Sequence, residues 1–374
     1  MISLTWGQVN AWRISQHLLT HRLPAVQLVQ AVRQTMGIHA QVMSAAEMAI
    51  GARVDGVSPQ DVQTALWRER TLVKTWMMRL TSHLISAVDF PIFIAARRIT
   101  DLNWTSVFNK SGIDRATLDA YLAAAPEILD HGPLTRRQFV EAISAHLKSA
   151  ELRDFLVRDN WSTAFKPLAL HGELCYGPND GSDTTFVRPS AWIGSWQAPE
   201  PEASLHEILR HYLRLYGTAR PRNFQVWWWM SGVAAKKAFN AIASETEEVD
   251  VEGWRATALK SAVQAMRELE PSGEVNLLPA FDVYTVGLAR GKDLERFLAL
   301  EHQKKIYRPQ GWVSAVVLED GFIKGTWEYK LHKSKTTVSV KLFLPLTNGS
   351  TEKLAFEADR LGKFLNTPID LVFA

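Results

Sequence analysis

The chain reads as an α+β protein: tandem helix-turn-helix units, each with a small β wing, followed by an antiparallel β domain at the C-terminus. Three observations predict this. Cap residues mark helix starts repeatedly, and two or three short helices followed by a small β element recur three times. In the last third, apolar residues change from helical spacing to alternation.

Taken in order, Thr5-Trp6-Gly7-Gln8, Thr135-Arg136-Arg137-Gln138 and Ser204-Leu205-His206-Glu207 have the capping-box form, in which two side chains three apart each satisfy an orphan backbone N–H. Ser58-Pro59 puts a cap before a proline, whose fixed φ suits the first helical position. Helices are predicted over 6–20, 24–36, 42–53, 59–69, 115–128, 135–147, 205–216, 221–231 and 233–243. LVKTWMMR (72–79) and SHLISA (82–87) form a hairpin after the helix at 59–69. HGELCYG (171–177) and EEVDVEGW (247–254) stand in the same place after the second and third helix clusters. This is the order of a winged helix. QAPEPEAS (197–204) reads as a linker. WVSAVVLEDGFIKGTWEYK is a hairpin turning at Asp320-Gly321, and Val338, Val340, Leu342 and Leu344 alternate as a half-buried strand does. A helix near 352–364 and a last strand, IDLVFA, close the chain. The expected units are 1–100, 101–196, 205–256 and 257–374, the first three winged helices and the fourth β-rich.

With 374 residues, 47% apolar and 22% charged, the chain can bury a large core without disulfides, and its single cysteine, Cys175, permits none within the chain. No basic start followed by an apolar run opens the sequence, and LISAVDFPIFIAA is broken by Asp89 and Pro91, so a cytoplasmic protein without membrane contact is expected. Net charge is +3, yet SETEEVDVE alone holds five carboxylates, which leaves +8 (3 + 5) on the rest and permits a polyanionic partner.

Four constellations carry chemistry. Lys236 and Lys237 lie on the second helix of the third cluster, where lysines meet phosphates or simply solvent. Lys324, Lys330, Lys333, Lys335 and Lys341 crowd the C-terminal hairpin region, either facing a nucleic acid or protecting a sheet edge. His17 and His21 have the i, i+4 spacing of metal ligands, but no third ligand is suggested, and no metal is expected. In GIHAQ (37–41), Gly37 can end a helix in the left-handed conformation; on an extended segment after it, His39 and Gln41 would point to one side. No phosphate-binding glycine loop or nucleophile elbow is present.

MGIHAQVMSAAEMA (36–49), ALWRERTLVKTWMMRLTSH (65–83), GPNDGSDTTFVRP (177–189), LLPAFDVYTVG (277–287) and RPQGWVSAVVLEDGFIKGTW (308–327) resemble, in order, segments of the AlkZ/YcaQ-like family of winged-helix DNA glycosylases. The resemblance implies a C-shaped molecule, with tandem winged helices and a β domain around a basic channel for duplex DNA. It implies removal of bulky alkylated purines and the unhooking of interstrand crosslinks; the expectation drawn from it is a monofunctional, hydrolytic DNA glycosylase without cofactor, and a clamp-like monomer is the simplest arrangement. The family's motif, glutamine, an aliphatic residue, then glutamine or aspartate, falls on His39-Ala40-Gln41, so histidine replaces the first glutamine. The family's arginine-glycine-threonine falls on Arg79-Leu80-Thr81, with leucine for glycine. Arg79, Thr81 and His83 are thereby expected at the DNA, with Gln41 orienting water and His39 assisting. A non-catalytic DNA-binding protein, a regulator or damage sensor, is the alternative reading.

Overall fold

A computed structural model describes residues 1–99, 102–159, 162–288, 294–295 and 298–374. It is a mixed α+β structure ending in a five-stranded, mostly antiparallel sheet. Among the described residues no helix is long and apolar enough to cross a membrane.

Strand β1 (Ile2–Leu4) leads into α1 (Trp6–Gln16), which starts with the Thr5–Gln8 capping box. Then one phrase is repeated. In the first unit, α2 (Leu28–Gln34), β2 (Ile38–His39), α3 (Met43–Gly51) and α4 (Pro59–Trp67) precede the hairpin β3 (Leu72–Trp76) and β4 (Ser82–Ser86). After α5 (Phe90–Arg97), the second unit has α6 (Arg115–Leu129), β5 (Leu134–Thr135), α7 (Arg136–Leu147) and α8 (Ala150–Arg158) before β6 (Cys175–Asp180) and β7 (Asp183–Val187). The third has α9 (Pro201–Tyr216), β8 (Thr218–Ala219), α10 (Pro221–Trp228) and α11 (Gly232–Ala241) before β9 (Thr246–Val251) and β10 (Trp254–Leu259). In each, the short strand between helices pairs with the second strand of the hairpin: the orders are β2-β4-β3, β5-β7-β6 and β8-β10-β9, the last extended by β1 on β9.

The C-terminal sheet runs β11 (Val275–Leu278), β12 (Val316–Glu319), β13 (Phe322–Leu331), β14 (Thr336–Leu342), β15 (Ile369–Phe373), backed by α12 (Ser350–Leu365). The Asp320-Gly321 turn is present, with both residues at positive φ (49° and 76°), the geometry a two-residue hairpin needs. Val338 and Val340 are fully buried, as their alternation predicts.

Helix ends differ from the sequence-based bounds in an instructive way. The apolar period runs on past the termini at 6–20 and 24–36, but Leu18 and Met36 take left-handed backbone (φ 59° and 58°), which stops the helices earlier. Helix α9 starts inside the expected linker, at Pro201, capped by the Glu200 carboxylate, which accepts from the Glu202 and Ala203 amides. Ser204 is therefore not a cap; its hydroxyl donates to the Glu200 carbonyl one turn back.

Apolar packing joins the first unit to the C-terminal sheet. Ile38, Ala40, Ile50 and Leu66 share one core with Val317, Trp327, Val338 and Leu354. The seam is sealed by polar contacts too: Arg22 pairs with Glu357 at 2.7 Å, and Arg360 with Asp55 at 2.8 Å. Gly51 allows the closest approach, since a Cβ there would stand 2.6 Å from the Phe364 ring. The second unit has a separate aromatic core, including Tyr121, Phe139, Phe165 and Phe186, which Trp76 of the first unit's hairpin joins.

Candidate active site

The site grows from the end of α2. Gly37 takes φ +92° and its amide donates to the Val32 carbonyl at 2.8 Å, the expected left-handed stop. A Cβ at Gly37 would stand 2.9 Å from the Leu84 carbonyl, so only glycine lets the chain turn onto β4 here. The extended run that follows is short. β2 covers Ile38 and His39, paired with Leu84 and His83. The Ala40 amide still donates to the Ser82 carbonyl at 2.7 Å, after which Gln41 lies in the bend before α3. His39 is thus buried, at 4% exposure, while Gln41 is exposed.

The His39 imidazole is held on two sides. It stacks on Phe281 with ring centroids 5.0 Å apart and planes 4° from parallel, and meets His83 edge-on at 5.2 Å. Its Nδ1 is sealed from solvent without a hydrogen-bond partner. Burial, then the neighbouring His83 and Arg79, hold its pKa well below the usual histidine value. His39 is therefore neutral at physiological pH, able to accept a hydrogen bond. His83 is held by a 2.8 Å contact of Nδ1 with the Thr81 carbonyl, which fixes the proton on Nδ1, and burial takes its pKa down to about 3.

The turn joining β3 to β4 completes this side. Arg79 and Leu80 both take left-handed backbone (φ 55° and 57°), and the Arg79 guanidinium donates to the Val286 carbonyl at 3.4 Å. The Thr81 hydroxyl is committed to the Met78 carbonyl at 3.0 Å. Arg97 underlies the turn: it donates to the Met77 carbonyl at 2.7 Å and stacks on Trp228 at 4.0 Å, and burial lowers its pKa to about 9.

Directly after Gln41, Val42 and Ser44 line a cleft of about 610 Å³ whose far side carries Lys304, Lys305 and Arg308. Lys341 also faces it, and Trp312, 41% exposed, stands against Phe281 edge-on at 4.9 Å. His39 and Gln41 are beside this cleft and not in its wall. Four cationic side chains against one acidic side chain, Glu328, give this cleft a positive lining.

His39, Arg79, Thr81 and His83 are thus gathered on one small sheet and its turn. The lysines are dispersed. Lys236 is exposed on α11, and its neighbour Lys237 pairs with Glu202 at 2.7 Å. Lys324 pairs with Glu319 at 3.1 Å and Lys335 with Asp370 at 2.7 Å, whereas Lys330 and Lys333 stand exposed at the end of β13. His21 is exposed, and His17 is fully buried, edge-on to Tyr216 and Tyr284 at 5.2 Å; among the described residues no three His, Cys, Asp or Glu gather as metal ligands. Nothing in the spacing of the sequence points to Phe281, Trp312, Lys304, Lys305 or Arg308. Phe281, Arg308 and Trp312 do fall within two of the segments that carry the family resemblance.

A curated protein of Streptomyces sahachiroi, an interstrand DNA cross-link repair glycosylase, is 32% identical over 334 residues, 87% of this chain and 88% of its own length. The solved structure of Streptomyces sahachiroi DNA glycosylase AlkZ superimposes with a TM-score of 0.87 at 29% identity, covering 99% of this chain and 100% of that one. The model of the family "DNA glycosylase AlkZ-like" matches residues 32–364, and the chain belongs to that family of DNA glycosylases.

Proposed function

We propose that the chain hydrolyses the N-glycosidic bond of alkylated purines in duplex DNA, bulky adducts and interstrand crosslinks included, with His39 and Gln41 handling the attacking water. An N7-alkylated purine is cationic and leaves without help from a general acid. The remaining task is to hold a water against C1′ while positive charge develops on the sugar. The exposed Gln41 amide oxygen accepts a hydrogen bond from that water and orients it. The neutral His39 imidazole is a second acceptor, and as such a weak base. No step calls on a metal or cofactor. A crosslinked base cannot be swung fully out of the duplex, which favours an open cleft over a closed pocket.

The observation that carries this reading is the neutral, ring-stacked His39 two residues before the exposed Gln41, next to a cleft with Lys304, Lys305, Arg308 and Lys341. In the same reading the three repeated units are winged helices (1–100, 101–196 and 205–256), and 257–374 is a β-rich domain. Together they form a C-shaped, monomeric clamp around the duplex. The identical strand orders of the three units support the winged-helix reading of each. Arg79, Thr81 and His83 approach the lesion, and Lys236, Lys237, Lys324, Lys330, Lys333 and Lys335 supply phosphate contacts. The test is base release from duplex DNA carrying N7-alkylguanine. Wild type leaves abasic sites, and His39→Ala and Gln41→Ala are slowed. Salt-sensitive binding without abasic product would indicate a non-catalytic DNA-binding protein instead.

A further inference from the structure

Phe281 is a large side chain on left-handed backbone, at φ +61°, a conformation that bulky residues adopt rarely and that persists only where the surroundings over-determine it. The surroundings do so here. Its amide donates to the Val313 carbonyl at 3.1 Å. The next residue, Asp282, is fully buried and receives two hydrogen bonds from Arg53, at 2.7 and 2.8 Å. The same carboxylate accepts the Tyr284 amide at 2.9 Å. So held, the Phe281 ring, 7% exposed, lies flat on His39 on one side and against Trp312 on the other.

We propose that Phe281 is a positioning residue for base excision: the Arg53–Asp282 clamp keeps its backbone in the strained turn so that its ring fixes the plane of the His39 imidazole and excludes water from one face. This rests on the reading that His39 holds the attacking water. Two consequences follow. The imidazole has one orientation, with Nδ1 sealed and Nε2 left for the water. It also stays neutral in mild acid, because a desolvated face disfavours the charged ring. The titratable groups facing His39 are His83 from β4 and Arg79 from the preceding turn; Asp282, from the segment bearing Phe281, is committed to Arg53.

The experiment compares wild type, Phe281→Leu, Phe281→Tyr and His39→Ala. Substrates are duplex oligonucleotides with a single N7-methylguanine or a nitrogen-mustard N7-guanine monoadduct. The readouts are single-turnover rate against pH, thermal unfolding, and the NMR titration of His39 in the free protein. Wild type is expected to show no histidine limb between pH 8 and 5.5. Phe281→Leu is expected to lose about tenfold in rate at pH 8, to gain an acid limb near the ordinary histidine pKa, and to shift the His39 resonances as the ring current is lost. Phe281→Tyr keeps the ring and should restore rate and profile. A folded Phe281→Leu protein with the wild-type pH profile and unmoved His39 resonances overturns the proposal, whatever its rate. If instead His39→Ala is as fast as wild type, the catalytic reading of His39 fails. The NMR arm still decides whether Phe281 sets the imidazole's environment.

Discussion

Arg53 and Asp282, 229 positions apart and neither exposed at all, meet through two parallel hydrogen bonds of 2.7 and 2.8 Å. The pair joins the end of α3 in the first unit to the turn after β11, and so couples the sheet that carries His39 to the segment that covers it. A second bond from Arg53 Nη1 to the Ala49 carbonyl leaves the guanidinium little freedom. Removing one partner strands the other charge in the core. Arg53→Met is expected to lower unfolding free energy by about 3–5 kcal/mol. Asp282→Asn alone should cost a similar amount, and the double variant clearly less than the sum. Denaturant titrations of the three proteins check this; additive losses would mean the pair does not act as a unit.

Leu80 takes left-handed backbone at φ +57°, a conformation that suits glycine better than any side chain. Left-handed backbone costs a side chain about 1–2 kcal/mol. Leu80 offsets part of that by packing on the core. Leu80→Ala keeps the strain and loses the packing, whereas Leu80→Gly loses both. The glycine variant is therefore expected to be the more stable of the two by about 1 kcal/mol, the reverse of the usual order. Equilibrium unfolding measures the difference, and an alanine variant at least as stable as the glycine one would contradict it.

His17, His39 and His83 are buried with pKa values held below the ordinary histidine value, by burial first in each case. Such groups bind more protons unfolded than folded. The stability they allow is present above the unfolded pKa of about 6.5 and is lost as pH falls below it, by about 1.4 kcal/mol per histidine at pH 5.5. Unfolding free energy should thus decline steeply from pH 7 to 5. In His17→Gln, which leaves His39 and its neighbours in place, the slope should fall by about one proton. An unchanged slope would show that His17 is not a neutral buried group.

Lysine position separates contributions to DNA affinity. Lys330 and Lys333 are exposed at the hairpin end, while Lys237 and Lys335 are paired with Glu202 and Asp370. A lysine that displaces counterions from DNA contributes about 0.9 to the slope of log K against log salt. Lys333→Ala is expected to reduce that slope by about one, and Lys335→Ala by less, since its charge is already compensated. Fluorescence anisotropy with undamaged duplex over a salt series reads both; equal effects would remove the distinction.

Much of this architecture is legible in the sequence because its signals are local. Thr5–Gln8 and Thr135–Gln138 are reciprocal caps as their spacing implies, whereas Ser204–Glu207 is not; Ser58 caps the helix its proline opens, and Asp320-Gly321 turns the hairpin it announces. Two-residue strands such as Leu134–Thr135 and Thr218–Ala219 are too short to carry a period, so the pairing that unites each unit is invisible until the chain is folded. At the site, Gly37's turn is readable from one residue, but the length of the extended run after it is not, because β4 and the start of α3 decide where it ends. The cover over His39 comes from Phe281, and its support from Arg53 and Asp282, all long-range partners that spacing along the chain cannot disclose.

The central claim is that His39 and Gln41 together act on the water that attacks C1′. Its most direct measurement is single-turnover release of N7-alkylguanine from duplex DNA by wild type, His39→Ala, Gln41→Ala and the double variant. The expected result is abasic product from wild type and a loss of about 10²-fold or more for each single variant. The double variant should be little worse than the poorer single one, because the two groups serve one water. Wild-type rates in both single variants, with all four proteins folded, would contradict the account.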